Sequence, residues 1–283
     1  MQNIMRGRAE VVQLVWSELV QQHSANELTR IRGMLDIWSG EREAKADFNE
    51  QECYGLYMPG LPDAVWLAPD QFAFHELVKA AWLGIRNEAR PLLDGRRRAP
   101  AFALPVDADP GDPSRPDERG YEWPEGWREW RFYDYHERID ARCEVFPYAA
   151  SVADSVRAVS DYVARIHFLL MQPNTDLQRH VDETNFLVNY QLCVASTAEA
   201  GFEVAGIRKE WRDGEIHAFN AGYFHSAWNH SSTGTRVLFS VRTLHPDLSK
   251  VERDALLHLM SRVAYVRSNS QASGEGALLL QSE

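Results

Sequence analysis

The sequence predicts a mostly β fold, an antiparallel sandwich or barrel with helices before it and one helix after it. Apolar residues recur at helical spacing through the first third of the 283-residue chain, and a capping box opens another helix near its end. From about residue 130, short apolar runs separated by turn residues predict the sheet. With 45% hydrophobic residues, the chain can bury a large core without disulfides.

Three stretches carry the helical pattern: Ala9 to Val20, Leu28 to Trp38, and Leu77 to Ala89. We expect the third helix to open near Asp70 and to close at Pro91, because proline cannot continue a helix.

The second half has strand-like segments, with a short helix near Ser151–Val159 after the first of them. The predicted strands are Trp130–Tyr135, Ile166–Met171, Phe186–Val194, Ile216–Asn220 and Arg236–Thr243. Ser249 and Glu252 then form the S-x-x-E capping box of a helix that runs to about Val266.

We divide the chain into four segments. Residues 1–99 are a helical lead-in packed on the core, and 127–266 are the β core with its C-terminal helix. Between them, 100–126 is a proline-rich loop or lid that holds six of the thirteen prolines. Residues 267–283 are predicted to be a disordered tail, since they are rich in Ser, Gly and Gln.

The charge balance argues against a nucleic-acid partner. The net charge is −11, from 41 acidic and 30 basic residues, and such a surface repels phosphate backbones. The longest basic run, Arg96 to Arg98, is interpreted as a solvated linker.

Cysteine usage and hydropathy point to a soluble, cytoplasmic protein without a membrane segment. Cys53, Cys143 and Cys193 are far apart and form no C-x-x-C pair, so neither a disulfide framework nor a zinc site is predicted. No secretory signal and no window of about eighteen apolar residues occurs. The sequence does not predict the oligomeric state.

The most informative segment is His180-Val181-Asp182, followed 43 residues after Asp182 by His225. On an extended backbone, side chains two residues apart share a face, so His180 and Asp182 can act together and a distant histidine can join them. Two imidazoles and one carboxylate are the facial set of non-haem Fe(II) oxygenases. By itself the tripeptide is unspecific, and the alternative is ordinary surface or core residues.

The segment after His225 adds context. Ser226 to Asn229 is predicted to be a polar turn, and the strand from Arg236 to Arg242 follows it. Along that strand the even positions include arginines and a serine, whereas the odd positions Val237, Phe239 and Val241 are apolar. One face can therefore line a pocket, where an arginine can hold a carboxylate. The alternative places both arginines in water.

Four other histidines are alternative candidates for metal ligands and are less favoured than His180 and His225. His217, eight residues before His225, is an alternative ligand without the downstream context. His167 is interpreted as a core residue, and His230 as an exposed turn residue. His245 is interpreted as a capping or packing residue.

Several motifs in the same order resemble the aspartyl/asparaginyl β-hydroxylase family over residues 167–258, with a helical lead-in over 56–93. They are Phe168-Leu169-Leu170-Met171-Gln172-Pro173-Asn174-Thr175, Trp211-Arg212-Asp213-Gly214-Glu215, Phe224-His225-Ser226-Ala227-Trp228-Asn229 and His245-Pro246-Asp247-Leu248-Ser249.

This resemblance implies a double-stranded β-helix (a jelly-roll, cupin-like core) that binds Fe(II) and 2-oxoglutarate. His180 and His225 match the iron ligands, and Arg236 matches the arginine for the distal carboxylate of 2-oxoglutarate. Asp182 stands where the vertebrate enzymes have glycine, which favours the small amino-acid hydroxylase branch. Asn189 stands where the family carries an arginine that contacts 2-oxoglutarate, and as a hydrogen-bond donor it is the candidate for that contact here.

The expected activity is that of a dioxygenase that uses Fe(II), 2-oxoglutarate and dioxygen to hydroxylate an amino acid in bacterial natural-product biosynthesis. The amino acid is free, in a small peptide or carrier-bound, and Arg242 is a candidate for its α-carboxylate. Two alternatives are desaturation or cyclisation on the same scaffold, and a redox-silent cupin-like domain that binds a metal or small ligand.

Overall fold

The structure is a computed structural model that describes residues 2–43, 56–100, 123–134, 137–160, 162–182 and 184–260, with side chains from residue 8. The predicted tail, Cys53 and residues 101–122 of the proline-rich loop lie outside the described residues.

Two antiparallel sheets form the body of the protein. The larger has seven strands in the order β1-β9-β6-β11-β4-β2-β3, and the smaller has four in the order β5-β10-β7-β8. The strands are β1 (Trp66–Leu67), β2 (Trp127–Asp134), β3 (Glu137–Arg138), β4 (Val163–Met171), β5 (Thr175–His180), β6 (Leu187–Ala195), β7 (Ala200–Val204), β8 (Ile207–Glu210), β9 (Ile216–Asn220), β10 (His225–Asn229) and β11 (Arg236–Leu244).

Helices cover one face of the large sheet. They are α1 (Gln2–Gln22), α2 (Thr29–Ser39), α3 (His75–Glu88), α4 (Arg90–Leu93), α5 (Asp140–Cys143), α6 (Pro147–Val159) and α7, described over 250–260. Apolar side chains of α3 and α6 pack on odd-numbered residues of β11 in the main core, while α1, α2 and α7 form a second core. Within the described residues, no helix is both long and apolar enough to cross a membrane.

The inner face of the large sheet meets the small sheet. Trp127, Leu169 and Leu238 from the large sheet pack with Leu177 and Phe202 from the small one. Two facing antiparallel sheets with this connectivity form the double-stranded β-helix, and the expected fold class is confirmed.

The predicted helices are present, but both predicted ends of the third helix are wrong, and the predicted end of the last helix near Val266 lies outside the described residues. The third helix runs from His75 to Glu88 rather than from near Asp70, because Pro69–Gln71 forms a separate 3-10 turn. Pro91 does not end it but lies in the first turn of α4, where a missing N–H costs nothing. Ser249 and Glu252 form the predicted capping box through reciprocal bonds of 3.2 and 2.8 Å.

All five predicted strands are present, and their bounds shift by up to three residues. The predicted polar turn at Ser226–Asn229 is wrong, because these residues belong to β10, which pairs with β5 and with β7. Asn229 is a polar residue that suggests a turn, but it is buried, and its side chain donates hydrogen bonds to the carbonyls of Met171 and Gly234. The division at residues 99, 126 and 266 stays a prediction, although β1 pairs directly with β9.

Candidate active site

A pocket opens between the two sheets. One wall is the even-numbered face of β11, formed by Arg236, Leu238, Ser240 and Arg242. The odd positions point into the helix-covered core, as the alternation in the sequence predicts.

The pocket brings His180, Asp182 and His225 together. His180 is the last residue of β5 and His225 the first of β10, and the two lie opposite each other in register. Asp182 lies two residues beyond β5 rather than on a strand. One potential ligand atom from each residue lies within 4.8 Å of those of the other two. Their role as metal ligands stays a prediction.

Backbone carbonyls fix both imidazole rings. Nδ1 of His180 lies 2.8 Å from the carbonyl oxygen of Gln178, and Nδ1 of His225 lies 2.8 Å from that of Tyr223. A carbonyl oxygen only accepts, so each Nδ1 carries a proton, and in the neutral imidazole Nε2 is the nitrogen with the free lone pair. That tautomer suits metal coordination through Nε2.

Asp182 is held as a carboxylate. Burial alone would raise its pKa, but Arg242, His225 and His180 outweigh that effect and lower the pKa to about 2. Its Oδ2 lies 3.4 Å from Nη2 of Arg242 and accepts a 3.3 Å hydrogen bond from Nδ2 of Asn189. Asn189 therefore acts as a donor toward Asp182 in this structure.

Arg236 is buried without a counter-charge. It is 1% exposed, and its Nε and Nη2 have no hydrogen-bond partner among the described residues. The ring of Trp127 lies 5.3 Å from its Cζ. Burial lowers the pKa of Arg236 to about 10, so it stays charged at neutral pH. An orphaned guanidinium in a pocket wall fits a ligand carboxylate, which would pair with it.

Comparison with known proteins identifies the family of this chain. The model of the family described as "Aspartyl/Asparaginyl beta-hydroxylase" matches residues 79–246, more than half of the chain. The chain belongs to the aspartyl/asparaginyl β-hydroxylase family. Members of this family are generally Fe(II)- and 2-oxoglutarate-dependent, and the family assignment indicates an oxygenase.

Relatives of this β-hydroxylase family member share modest identity. Aspartate beta-hydroxylase domain-containing protein 2 from Mus musculus and from Homo sapiens are each 24% identical over 147 residues, which is 47% of this chain. The match covers only 43% and 40% of those proteins.

Two solved structures are similar to parts of this chain. AviO1 from Streptomyces viridochromogenes is 14% identical, with a TM-score of 0.33 over 66% of this chain and 89% of that one. A predicted oxalate decarboxylase from Thermotoga maritima is 14% identical, with a TM-score of 0.25 over 29% and 68%.

Three of the four competing histidines do not line the pocket, and none of the four belongs to the three-residue group. His217 is not in the three-residue group, and its Nε2 lies 3.5 Å from Glu215. His230 is exposed and paired with Asp176, and Nδ1 of His245 accepts the backbone N–H of Asp247 as in a turn. His167 is buried as predicted, but it also lines the pocket.

Sequence reasoning missed a charged network on β2 and β4. Nδ1 of His167 lies 2.9 Å from the buried carboxylate of Glu129, and Arg165 donates to Asp134 at 3.0 Å. Arg165, His167 and Leu169 share one face of β4 and line the pocket. The period-two alternation of β4 indicates that these three residues share a face. The predicted strand, however, began at Ile166, one residue too late to include Arg165.

Proposed function

We propose that the protein is an Fe(II)- and 2-oxoglutarate-dependent dioxygenase that hydroxylates an unactivated C–H of an amino acid, free, in a small peptide or carrier-bound. One observation supports this most strongly. The pocket that holds His180, Asp182 and His225 also holds Arg236, a buried cation for which the described residues supply no counter-charge.

In this proposal, His180, Asp182 and His225 hold the iron, and Arg236 binds the distal carboxylate of 2-oxoglutarate. With 2-oxoglutarate and dioxygen, the bound iron supplies an oxidant strong enough to convert C–H to C–OH, with succinate and carbon dioxide as co-products. Asn189 keeps the Asp182 carboxylate oriented through its hydrogen bond.

The pocket walls supply orientation and exclude water. Trp123 meets the His180 ring edge-on, with centroids 5.5 Å apart, and Phe202 and Trp211 line the same cavity. Such walls strengthen the charge interactions of the site and protect reactive species from solvent.

Asp182 also supports the small amino-acid hydroxylase branch, because a carboxylate occupies the position that is glycine in the vertebrate relatives. A role in bacterial natural-product biosynthesis belongs to the same proposal. Arg242 is then a candidate for the α-carboxylate of the substrate.

Succinate release tests the proposed reaction. We expect the iron-loaded protein to form succinate from 2-oxoglutarate, with more when a panel of free amino acids is added. His225→Ala should lower the rate by about a hundredfold or more, because the site loses one of its three ligands. His230→Ala is the matched control, since His230 is exposed and lies outside the pocket.

Product mass separates the oxidative outcomes. Gain of one oxygen atom supports hydroxylation, whereas loss of two hydrogen atoms indicates desaturation or ring closure. A His225→Ala protein with full activity would overturn the assignment. Iron binding without succinate would leave a redox-silent ligand-binding domain.

A further inference from the structure

A second pair of arginines lies at the end of the pocket that holds Asp182. Arg165 on β4 and Arg242 on β11 are directly opposite each other in register, and both line the cavity. Like charges directly opposite each other on adjacent strands destabilise a sheet. Neighbouring carboxylates offset part of this repulsion, and an anion bound to both arginines would offset more of it.

Carboxylates hold both arginines of the pair. Nε of Arg165 donates to Oδ1 of Asp134 on β2 at 3.0 Å, and its Nη1 lies 3.7 Å from Oε2 of Glu129 on the same strand. Nη2 of Arg242 lies 3.4 Å from Oδ2 of Asp182, which also contacts Asn189 on β6. Asp134 and Glu129 lie on β2, which neighbours β4, and Asp182 contacts β6, which neighbours β11. These acids therefore flank the pair rather than separate it.

The backbone is irregular beside both arginines. The pairing of β11 with β4 shifts register between Arg242 and Thr243, and that of β2 with β4 shifts between Arg131 and Tyr133. Such β-bulges redirect side chains and are frequent next to active sites. Here they lie on both sides of Arg165.

Charge and hydrogen-bonding capacity remain available at this end. Nε of Arg242 is buried and has no hydrogen-bond partner among the described residues. When divalent iron and doubly charged 2-oxoglutarate are bound, their charges cancel. Glu129 and Asp134 balance Arg131 and Arg165. Asp182 can then balance only one of Arg236 and Arg242, which leaves one positive charge for a substrate anion.

We infer that Arg165 and Arg242 together bind the free carboxylate of the substrate. The substrate is therefore an amino acid with an unblocked carboxyl group, not one held as an amide, an ester or a carrier thioester. Arg165 is a specificity-determining residue, and Asp134 is its positioning residue. The inference rests on the proposed function, because it concerns the substrate of that same site.

Binding to the zinc-loaded full chain tests this inference without turnover. Calorimetric titrations with saturating 2-oxoglutarate would compare each coded L-amino acid with its primary amide, which differs mainly in the charge of the carboxyl group. The variants are Arg165→Leu and Arg165→Lys. The matched control is Arg138→Gln, since Arg138 is also held by two carboxylates, Asp154 and Asp140, but lies outside the pocket.

We expect the best-bound amino acid to bind at least about tenfold more tightly than its amide, since hydrogen bonds to charged groups are the stronger ones. Arg165→Leu should weaken binding of the acid by about tenfold to a hundredfold and change the amide by less than about twofold. Arg165→Lys should be intermediate, because it keeps the charge and loses the planar fork. If Arg165→Leu does not fold, the binding of the amino acid and of its amide can be compared in Arg165→Lys instead.

Three results would overturn the inference: equal binding of acid and amide to the wild-type protein, equal weakening of both by Arg165 variants, or no binding of any amino acid. A protein that binds acids in this way but forms no succinate with iron would refute the proposed function alone. Succinate formation driven by an amide or thioester substrate would refute this inference alone.

Discussion

Arg236 shows most directly how a residue can be kept for function at a cost in stability. A buried charge without a partner is unfavourable by several kcal/mol in a low-dielectric interior (about 3–5 kcal/mol when a partner is removed). Arg236 is 1% exposed, and two of its nitrogens lack partners among the described residues. A bound carboxylate removes this cost, which is why the residue fits a cosubstrate site.

Arg236→Met should separate stability from binding. We expect the free energy of unfolding of the ligand-free protein to rise by about 1–3 kcal/mol, because an apolar side chain replaces an uncompensated charge. Affinity for 2-oxoglutarate should fall by about tenfold or more. Urea unfolding and calorimetric titration measure the two effects.

The control for Arg236→Met is Arg128→Met. Arg128 is equally buried, but it donates to Gln172 and to the carbonyl of Ala99, so its loss should destabilise the protein. Unchanged 2-oxoglutarate affinity in Arg236→Met, or equal destabilisation by both substitutions, would contradict this account of Arg236.

For single residues, the sequence predicts which side chains face the pocket wherever polar and apolar residues alternate along a strand. The even positions of β11 could be assigned to a pocket because Val237, Phe239 and Val241 leave no doubt about the buried face. The contact between Asn189 and Asp182 could not be predicted, since it joins β6 to a loop and depends on the whole fold. The contacts of Glu129 with His167 and Arg165 could not be predicted either, because they join β2 to β4 and depend on how these strands pair.

At the scale of elements, β10 carries the site because it is the strand that places His225 opposite His180. Its sequence, His-Ser-Ala-Trp-Asn, is too polar to be recognised as a strand. Pairing on both sides compensates for that composition by satisfying the backbone groups of β10. Short central strands of this kind are specified by their neighbours and not by local preference.

Gly201 on β7 tests how closely these strands pack. A Cβ there would lie 2.5 Å from the ring of Trp228 on β10 and 2.9 Å from the backbone oxygen of Lys209 on β8. We expect Gly201→Ala to lower the free energy of unfolding by about 1–3 kcal/mol, because a backbone atom cannot move aside. Thermal or urea unfolding measures the loss.

Gly84→Ala is the comparison for Gly201→Ala. The three atoms nearest to its Cβ would all belong to the outer end of the Tyr148 side chain, which is 44% exposed, so we expect the ring to turn away. Alanine in the middle of α3 should then be neutral or stabilise by up to about 1 kcal/mol. Equal effects of the two substitutions would refute the close packing of β7 between β8 and β10.

For the whole molecule, the Glu129 network ties stability to pH. Burial alone would raise the pKa of Glu129, but Arg165, the hydrogen bond from His167 and Arg131 hold it well below its ordinary value of 4.5. Because the pKa of Glu129 is lower in the folded state than in the unfolded state, its carboxylate contributes to the free energy of unfolding above about pH 4.5. This contribution is lost as the pH falls further. Burial also lowers the pKa of His167, so its contribution is lost as the pH falls below about 6.5.

Glu129→Gln should therefore change both the level and the shape of the stability curve. At pH 7 we expect a loss of about 3–5 kcal/mol, because a buried ion pair is broken. Between pH 5 and 3 the variant should lose less stability than the wild-type protein. Urea unfolding across this range, with the exposed Glu137→Gln as control, measures the difference. Parallel curves for Glu129→Gln and wild type would contradict it.

The fold class could be predicted from the sequence because period-two strands and period-3.6 helices follow different rules, and the ordered motifs then identified the family. All four strands of the smaller sheet escaped prediction, since β5, β7, β8 and β10 are short and partly polar. The site lies between the sheets, so its electrostatics follow from a packing that no single segment encodes.

The central claim is that one pocket holds both the iron and 2-oxoglutarate. The most direct test is the visible spectrum of the anaerobic protein with Fe(II) as 2-oxoglutarate is added. We expect a weak charge-transfer band that is absent in His225→Ala, and that requires much more 2-oxoglutarate in Arg236→Met. Iron bound without any such band would contradict the claim, and the protein would then share only the scaffold of its family.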